Sequence, residues 1–266
     1  MEDMRALAVA TRQRLSAAQA QITSIWQKNQ RGRDLLINRA ALVDEVLREL
    51  WVTLDIPADI ALVAVGGYGR GALYPASDVD LLILQPESAA PLHDISPHKE
   101  KIEILVGILW DIGLDIGHSV RTISECLAES ARDITVQTSL LETRYLIGDA
   151  GLYESFEKSF RDALNPVAFF KAKQLEQAER YARYNDTPYS LEPNCKENPG
   201  GLRDLQVIQW VARAAQLGNT WQDLAHAGII TAIEARLLAR SESRLREIRI
   251  HLHLLAGRRE DRLLFD

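Results

Sequence analysis

Apolar and polar positions repeat with a helical period through the first fifty residues of the chain. Leu7, Ala8, Leu15, Ala18, Ile22 and Ile25 mark one apolar stripe, and Leu35, Ile37, Ala40, Leu42, Val43, Val46 and Leu47 mark a second, so two long helices are predicted over residues 4–26 and 31–50. Pro57 interrupts the pattern, and the period then changes. IALVAV, residues 60–65, is a short apolar run rich in β-branched residues that ends at glycines, as a strand buried on both faces does. A turn-rich stretch, residues 66–77, leads to a second such strand, VDLLIL, at residues 79–84. Residues 86–97, rich in proline, serine and alanine, read as a loop. Helical spacing returns at residues 99–113 through Ile102, Leu105, Val106, Leu109 and Trp110, with Gly113 as the stop. LDIGHSV, residues 114–120, is expected to be a third strand, which completes an α/β unit.

Beyond residue 127 the apolar periodicity is helical throughout, over residues 134–147, 152–160, 167–183, 202–215, 221–227 and 229–255, with no strand expected. The expected fold class is α+β, a small mixed sheet followed by an all-helical domain, divided where Gly148 and Gly151 bracket Asp149 and Ala150. Residues 1–150 and 151–266 are therefore the expected domains. Within the helical part, residues 184–201 form a stretch rich in proline, asparagine and glycine, and a loop of that length in a bundle usually serves a site.

Charge and composition narrow the chemistry. With 37 acidic and 31 basic residues the net charge is -6, so no general positive field exists to hold a nucleic acid, although a small nucleotide needs only local cations. The two cysteines, Cys126 and Cys195, offer neither a disulfide framework nor a metal knuckle, which fits a reducing cytoplasm. His118 has no partner histidine at metal spacing. The first fifteen residues lack the apolar core of a signal peptide, and the longest apolar run falls far short of the roughly 20 residues of a membrane helix, so no membrane association is expected.

The chemistry concentrates in Gly66-Gly67-Tyr68-Gly69-Arg70-Gly71 and Ser77-Asp78-Val79-Asp80. A strand delivers the chain to paired glycines whose backbone can approach phosphate, and a helix starting just after them, at Ala72 and Leu73, would add its positive end. Asp78 and Asp80 lie two apart on the next strand, so their carboxylates leave by one face. Two carboxylates held together repel unless a cation lies between them, and magnesium prefers such oxygen ligands together with substrate phosphates. Taken singly, a glycine pair is most often a plain turn and Asp-Val-Asp a solvated edge. Together, in this order, they point to a metal and phosphate site. Gly67, Gly69 and Ala72 also fit the looser dinucleotide pattern, but Pro75 leaves no room for its helix and the acids come too early for a ribose contact. No Gly-Lys-Ser/Thr follows, which excludes a Walker loop.

GGYGRGALYPASDVDLLIL resembles the signature of the DNA polymerase β-type nucleotidyltransferase superfamily. Its closer form, with Tyr-Gly-Arg after the glycines and Pro-x-Ser before the acids, resembles the bacterial PII uridylyltransferases, which are also uridylyl-removing enzymes. Three further segments are similar to that family: DIGHSVRT, SLEPNCKENPGGLRDLQVIQWVARA and LHLLAGRREDRLLFD. The resemblance implies a polymerase β-like core in which Gly66 and Gly67 meet phosphate, Asp78 and Asp80 bind Mg2+, and Ser77 bonds a phosphate oxygen. It implies a third carboxylate for metal and acceptor, for which Asp115 is the candidate, with Glu103 and Glu142 as alternatives. Arg70, Arg121 and Arg203 are the candidate phosphate contacts, each with an ordinary ion pair as the bland alternative. Asn194 and Lys196, and free helix amides beside Arg203, would serve a helical domain that covers the nucleotide cleft, against the alternative of a simple loop with Asp204 as a cap.

The implied activity is transfer of UMP from UTP to a tyrosine hydroxyl of the PII nitrogen-signalling protein, with release of pyrophosphate. Adenylyl or other nucleotidyl transfer to a different acceptor, and a nucleotide-binding module without catalysis, are the alternatives. The family is longer than 266 residues and carries a phosphohydrolase and two glutamine-sensing domains, so the chain is expected to be an N-terminal portion.

Overall fold

The computed structural model describes residues 2–87, 98–184, 187 and 189–264. Most of the loop expected at residues 86–97 lies outside them. Two compact units emerge, one of Met1–Leu73 and Ser77–Ala163, the other of Tyr74–Ala76 and Leu164–Asp266.

The first unit opens with α1 (Glu2–Asn29) and α2 (Gly32–Thr53), the two expected helices, each longer than its stripe. Gln30 ends α1 with a left-handed φ of 55°. Four strands follow in the spatial order β3-β2-β1-β4. β1 (Ala61–Ala64) runs antiparallel to β2 (Val79–Leu84), and β2 runs parallel to β3 (Ile116–Arg121) after a crossover through α4 (Lys99–Asp111). Gly113 stops that crossover helix with φ at 83°. Because side chains alternate along a strand, Leu62, Leu81 and Ile83 enter one core with Val43, Leu47, Leu105 and Leu109, while Ala61, Val63, Leu82 and Leu84 enter another with Cys126, Phe156 and Phe160. That double burial explains why β1 reads as an unbroken apolar run and why β2 is apolar at every position but Asp80.

Two elements depart from expectation. The stretch expected to be one helix over residues 134–147 is α6 (Ile134–Leu141) followed by β4 (Arg144–Gly148), which pairs antiparallel with β1. Tyr145, Leu146 and Ile147 fit either period over so short a run, and the pairing partner lies eighty or more residues away in sequence, beyond the reach of local periodicity. α5 (Ile123–Arg132) was not expected at all, yet its start is written in a capping box in which the Thr122 side chain accepts from the Glu125 amide and Glu125 from the Thr122 amide. α7 (Ala150–Ala163), which follows the glycine-bracketed boundary, packs its Tyr153, Phe156 and Phe160 into the core of the first unit.

The second unit is helical: α8 (Pro166–Arg183), α9 (Leu202–Ala214), α10 (Trp221–His226) and α11 (Ala232–Ala256). Asn165 caps α8 with Pro166 at its first turn, and Thr231 and Glu234 form the capping box of α11. Among the described residues no helix is long and apolar enough to cross a membrane.

Candidate active site

The glycine turn is itself a helical turn. α3 (Gly66–Gly69) begins at the glycines, with Gly66 at φ 55°, and Ala72 and Leu73 are not helical, which corrects the helix expected after them. The turn is tied down at both ends, since the Val65 amide donates to the Asp80 carbonyl at 3.0 Å and the Gly69 amide to the Val65 carbonyl at 3.0 Å. Gly69 is forced by space. A Cβ there would lie 1.7 Å from the carbonyl oxygen of Glu142.

Three charged partners hold the turn from behind. The Tyr68 hydroxyl, on a side chain 1% exposed, donates to Asp44 of α2. Arg144 of β4 grips the same carboxylate with two hydrogen bonds, 2.5 and 3.0 Å, and lies 5.3 Å from the Tyr68 ring centroid. Burial, reinforced by the Asp44 charge, pushes the Tyr68 phenol far above its ordinary pKa, so it remains a donor across the pH range of the folded protein. Arg70 pairs with Glu142, whose side chain is buried. Tyr68→Phe removes a bond to a charged group while leaving Asp44 its arginine; a loss of about 1.5–3 kcal/mol is expected, read as a lower midpoint in urea unfolding.

Asp78 and Asp80 are both half-buried, one just before β2 and the other within it. The Asp80 carboxylate lies between two glycines. A Cβ built on Gly117 of β3 would stand 2.7 Å from Asp80 Oδ1, and one on Gly66 would stand 3.5 Å from Asp80 Oδ2 and 3.3 Å from Ser139 Oγ of α6. Ser139 thus borders the same turn. Asp115, exposed, immediately precedes β3, and its carbonyl accepts from the Val79 amide at 2.8 Å, which brings its backbone beside the residue separating the two aspartates. Of the alternatives, Glu103 is exposed on α4 and Glu142 is engaged by Arg70. Among the described residues, three or more acids, histidines or cysteines do not close into a preformed metal cluster. Ser77 is half-buried just before Asp78.

Arg121 is placed apart from these groups. It pairs with Leu84, whereas Asp80 pairs with Gly117, so Arg121 lies four residues, about 13 Å, along the sheet from the acids. His118 meets Trp110 edge-on at 6.4 Å.

In the second unit, the described part of residues 184–201 has its own structural logic. Asn194 Oδ1 accepts from the amides of Lys196 and Glu197 at 2.9 and 2.8 Å, so Asn194 builds the loop. The amides of Leu202, Arg203 and Asp204, expected to be free for phosphate, donate to the carbonyls of Cys195, Lys196 and Gly201. The turn curls back on its own helix start, and Gly201 is required because a Cβ would meet three loop carbonyls at 2.8–3.0 Å. Asp204 accepts from Arg180, Tyr181, Gln177 and the Gly200 amide. Arg203 bonds Gln206 at 2.9 Å and Glu197 at 3.1 Å and lies over Trp210, so a nucleotide contact by Arg203 requires exchange of one of these partners. Lys196 is half-buried, and that burial, with Arg249 and Arg203 nearby, lowers its ammonium to about 8. The C-terminal segment closes over the loop through the Cys195 amide to the Asp261 carbonyl and the Leu263 amide to the Pro193 carbonyl.

Sequence reasoning missed Asp44, Arg144, Ser139 and Gly117. Each comes to the site from a separate helix or strand, and no local motif marks the meeting.

Comparison with known proteins places two domains along the chain. Residues 43–141 match the family model of the nucleotidyltransferase domain, and residues 168–266 match that of the GlnD PII-uridylyltransferase. The fold is that of a nucleotidyltransferase domain. A bifunctional uridylyltransferase/uridylyl-removing enzyme of Aromatoleum aromaticum is 51% identical over 263 residues, 99% of this chain and 30% of that protein. Proteins of the same name from Nitrosospira multiformis and Bordetella avium are 51% and 52% identical over 97% and 96% of the chain, and 29% of their own length. The chain thus carries a nucleotidyltransferase domain and a GlnD PII-uridylyltransferase domain, and it spans about 30% of the length of the relatives it matches.

Proposed function

We propose that the chain catalyses magnesium-dependent transfer of UMP from UTP to a tyrosine hydroxyl of the PII signalling protein, with pyrophosphate leaving. The observation that carries this reading is the Asp80 carboxylate set between Gly66 and Gly117, at the mouth of a glycine turn in a nucleotidyltransferase domain. The donor set suits magnesium, because Asp78 and Asp80 supply hard carboxylate oxygens from one strand, half-buried and still reachable, with Asp115 as the proposed third. When bound, the metal would neutralise triphosphate charge and ease departure of pyrophosphate.

The chain's own groups do the rest of the work. Gly66 and Gly67 present backbone to the phosphates without side chains in the way, and Ser77 donates its hydroxyl to a phosphate oxygen. Arg70, held in place by Glu142, adds positive charge beside the turn. Asp115 accepts the proton of the attacking hydroxyl, whose oxygen forms the new bond to the α-phosphorus. Arg203 is proposed as a further phosphate contact that trades Glu197 for phosphate. A cytoplasmic setting accompanies this role in nitrogen regulation.

Calorimetric titration of UTP, ATP, CTP and GTP in the presence of magnesium tests the base, and incubation with PII followed by intact-mass measurement tests the acceptor. Preference for UTP and a uridylyl adduct on PII are expected. Preference for ATP would move the assignment to adenylyl transfer.

A further inference from the structure

We infer that Gly117 is a positioning residue whose missing side chain fixes the Asp80 carboxylate in its cation-binding orientation. Nothing in the sequence motif around Gly117 requires glycine for the backbone. The residue lies inside β3, in parallel register with Asp80, and does not take a left-handed φ, so alanine fits the chain path there. Glycine inside a strand is otherwise unfavourable, because it packs nothing and loses more entropy on folding. Its presence therefore calls for a close approach.

The approach is by Asp80. In a parallel pair, residues in register send their side chains to the same face, so the position across from Asp80 is where a neighbouring side chain would collide with it. A Cβ on Gly117 would lie 2.7 Å from Asp80 Oδ1, closer than carbon and oxygen tolerate. The other contact within 4 Å is Asp80 Cγ at 3.9 Å, so the group that must yield is the carboxylate itself, not a backbone. Its other oxygen borders the Gly66 position, where a Cβ would stand 3.5 Å from it and where the turn is bonded back to the Asp80 carbonyl through Val65. Two glycines from separate elements thus border the two oxygens of one acid. A methyl group at residue 117 rotates the acid off its setting while leaving the sheet intact.

This inference rests on the assignment of Asp80 as a cation ligand, and the experiment separates the two. Gly117→Ala and Asp80→Asn are compared with the parent chain by thermal melting without metal, by Mn2+ binding followed by electron paramagnetic resonance in the presence of UTP, and by transfer to PII. The expected result for Gly117→Ala is a melting temperature equal to or above that of the parent, with Mn2+ affinity and turnover reduced roughly 10–100-fold, the cost typical of losing the support of a metal ligand. Parent-like Mn2+ affinity in Gly117→Ala, with Asp80→Asn impaired, overturns the positioning role and leaves the metal assignment standing. Parent-like Mn2+ binding and transfer in Asp80→Asn overturns the metal assignment, and the inference falls with it. A lowered melting temperature in Gly117→Ala also counts against it, because the strain would then sit in the sheet and not in the carboxylate.

Discussion

Replacing Asp78 and Asp80 together by asparagine is expected to abolish nucleotidyl transfer and leave the far-ultraviolet circular dichroism spectrum unchanged. Asparagine keeps the shape of each side chain and removes its charge, so the sheet has no reason to rearrange. What disappears is the pair of anionic oxygens that hold a divalent cation against the triphosphate. Metal ions supply several kcal/mol of charge stabilisation in such reactions, and at about 1.4 kcal/mol per tenfold that is a loss of roughly a thousandfold or more. Both side chains are half-buried at the start of β2, while the residues that hold that strand in the core are Val79, Leu81, Leu82, Ile83 and Leu84. Transfer by the double variant within tenfold of the parent rate would remove the two aspartates from the chemistry, and with them the proposed function.

Gly69→Ala is expected to damage the fold and the site together. The added carbon would lie 1.7 Å from the Glu142 carbonyl oxygen, 2.8 Å from its carbonyl carbon and 3.1 Å from the Ala64 carbonyl oxygen, all of them backbone atoms. Backbone cannot rotate aside as a side chain does, so either α3 lifts from β1 or the link between α6 and β4 shifts. Overpacking usually costs 1–3 kcal/mol, and a clash this deep belongs at or above about 3 kcal/mol. In a domain of this size that is roughly 6–12 °C in melting temperature. The glycine turn moves with the repair, so phosphate binding weakens as well. An alanine variant that melts within 2 °C of the parent would show that the turn is looser than its contacts imply.

The sequence by itself determined the class of the fold and much of the frame. GGYGRG and SDVD sit next to each other in the chain, so a motif of glycines and acids survives reading without coordinates, and β2 falls on residues 79–84 as expected. The long helices were legible for a related reason: a repeat of 3.6 residues is a local property that each segment carries whole. Tertiary structure decided the rest. β4 exists because Arg144–Gly148 finds β1, and its five residues carry too little pattern to announce a strand alone. The expected helix amides at Arg203 turned out to be spent on Cys195, Lys196 and Gly201 carbonyls, because the preceding loop folds back on them. Arg121, close to the third strand's start in sequence, is carried to its far end by 3.3 Å of rise per residue. Tyr68, Asp44 and Arg144 form one ion-paired group from a turn, a helix and a strand, and Gly117 meets Asp80 only because β3 pairs with β2 in one register and not the next. Local periodicity and motif spacing are written in neighbouring residues, whereas the contacts that orient the acids depend on strand order and register, which are set by the packing of the whole core.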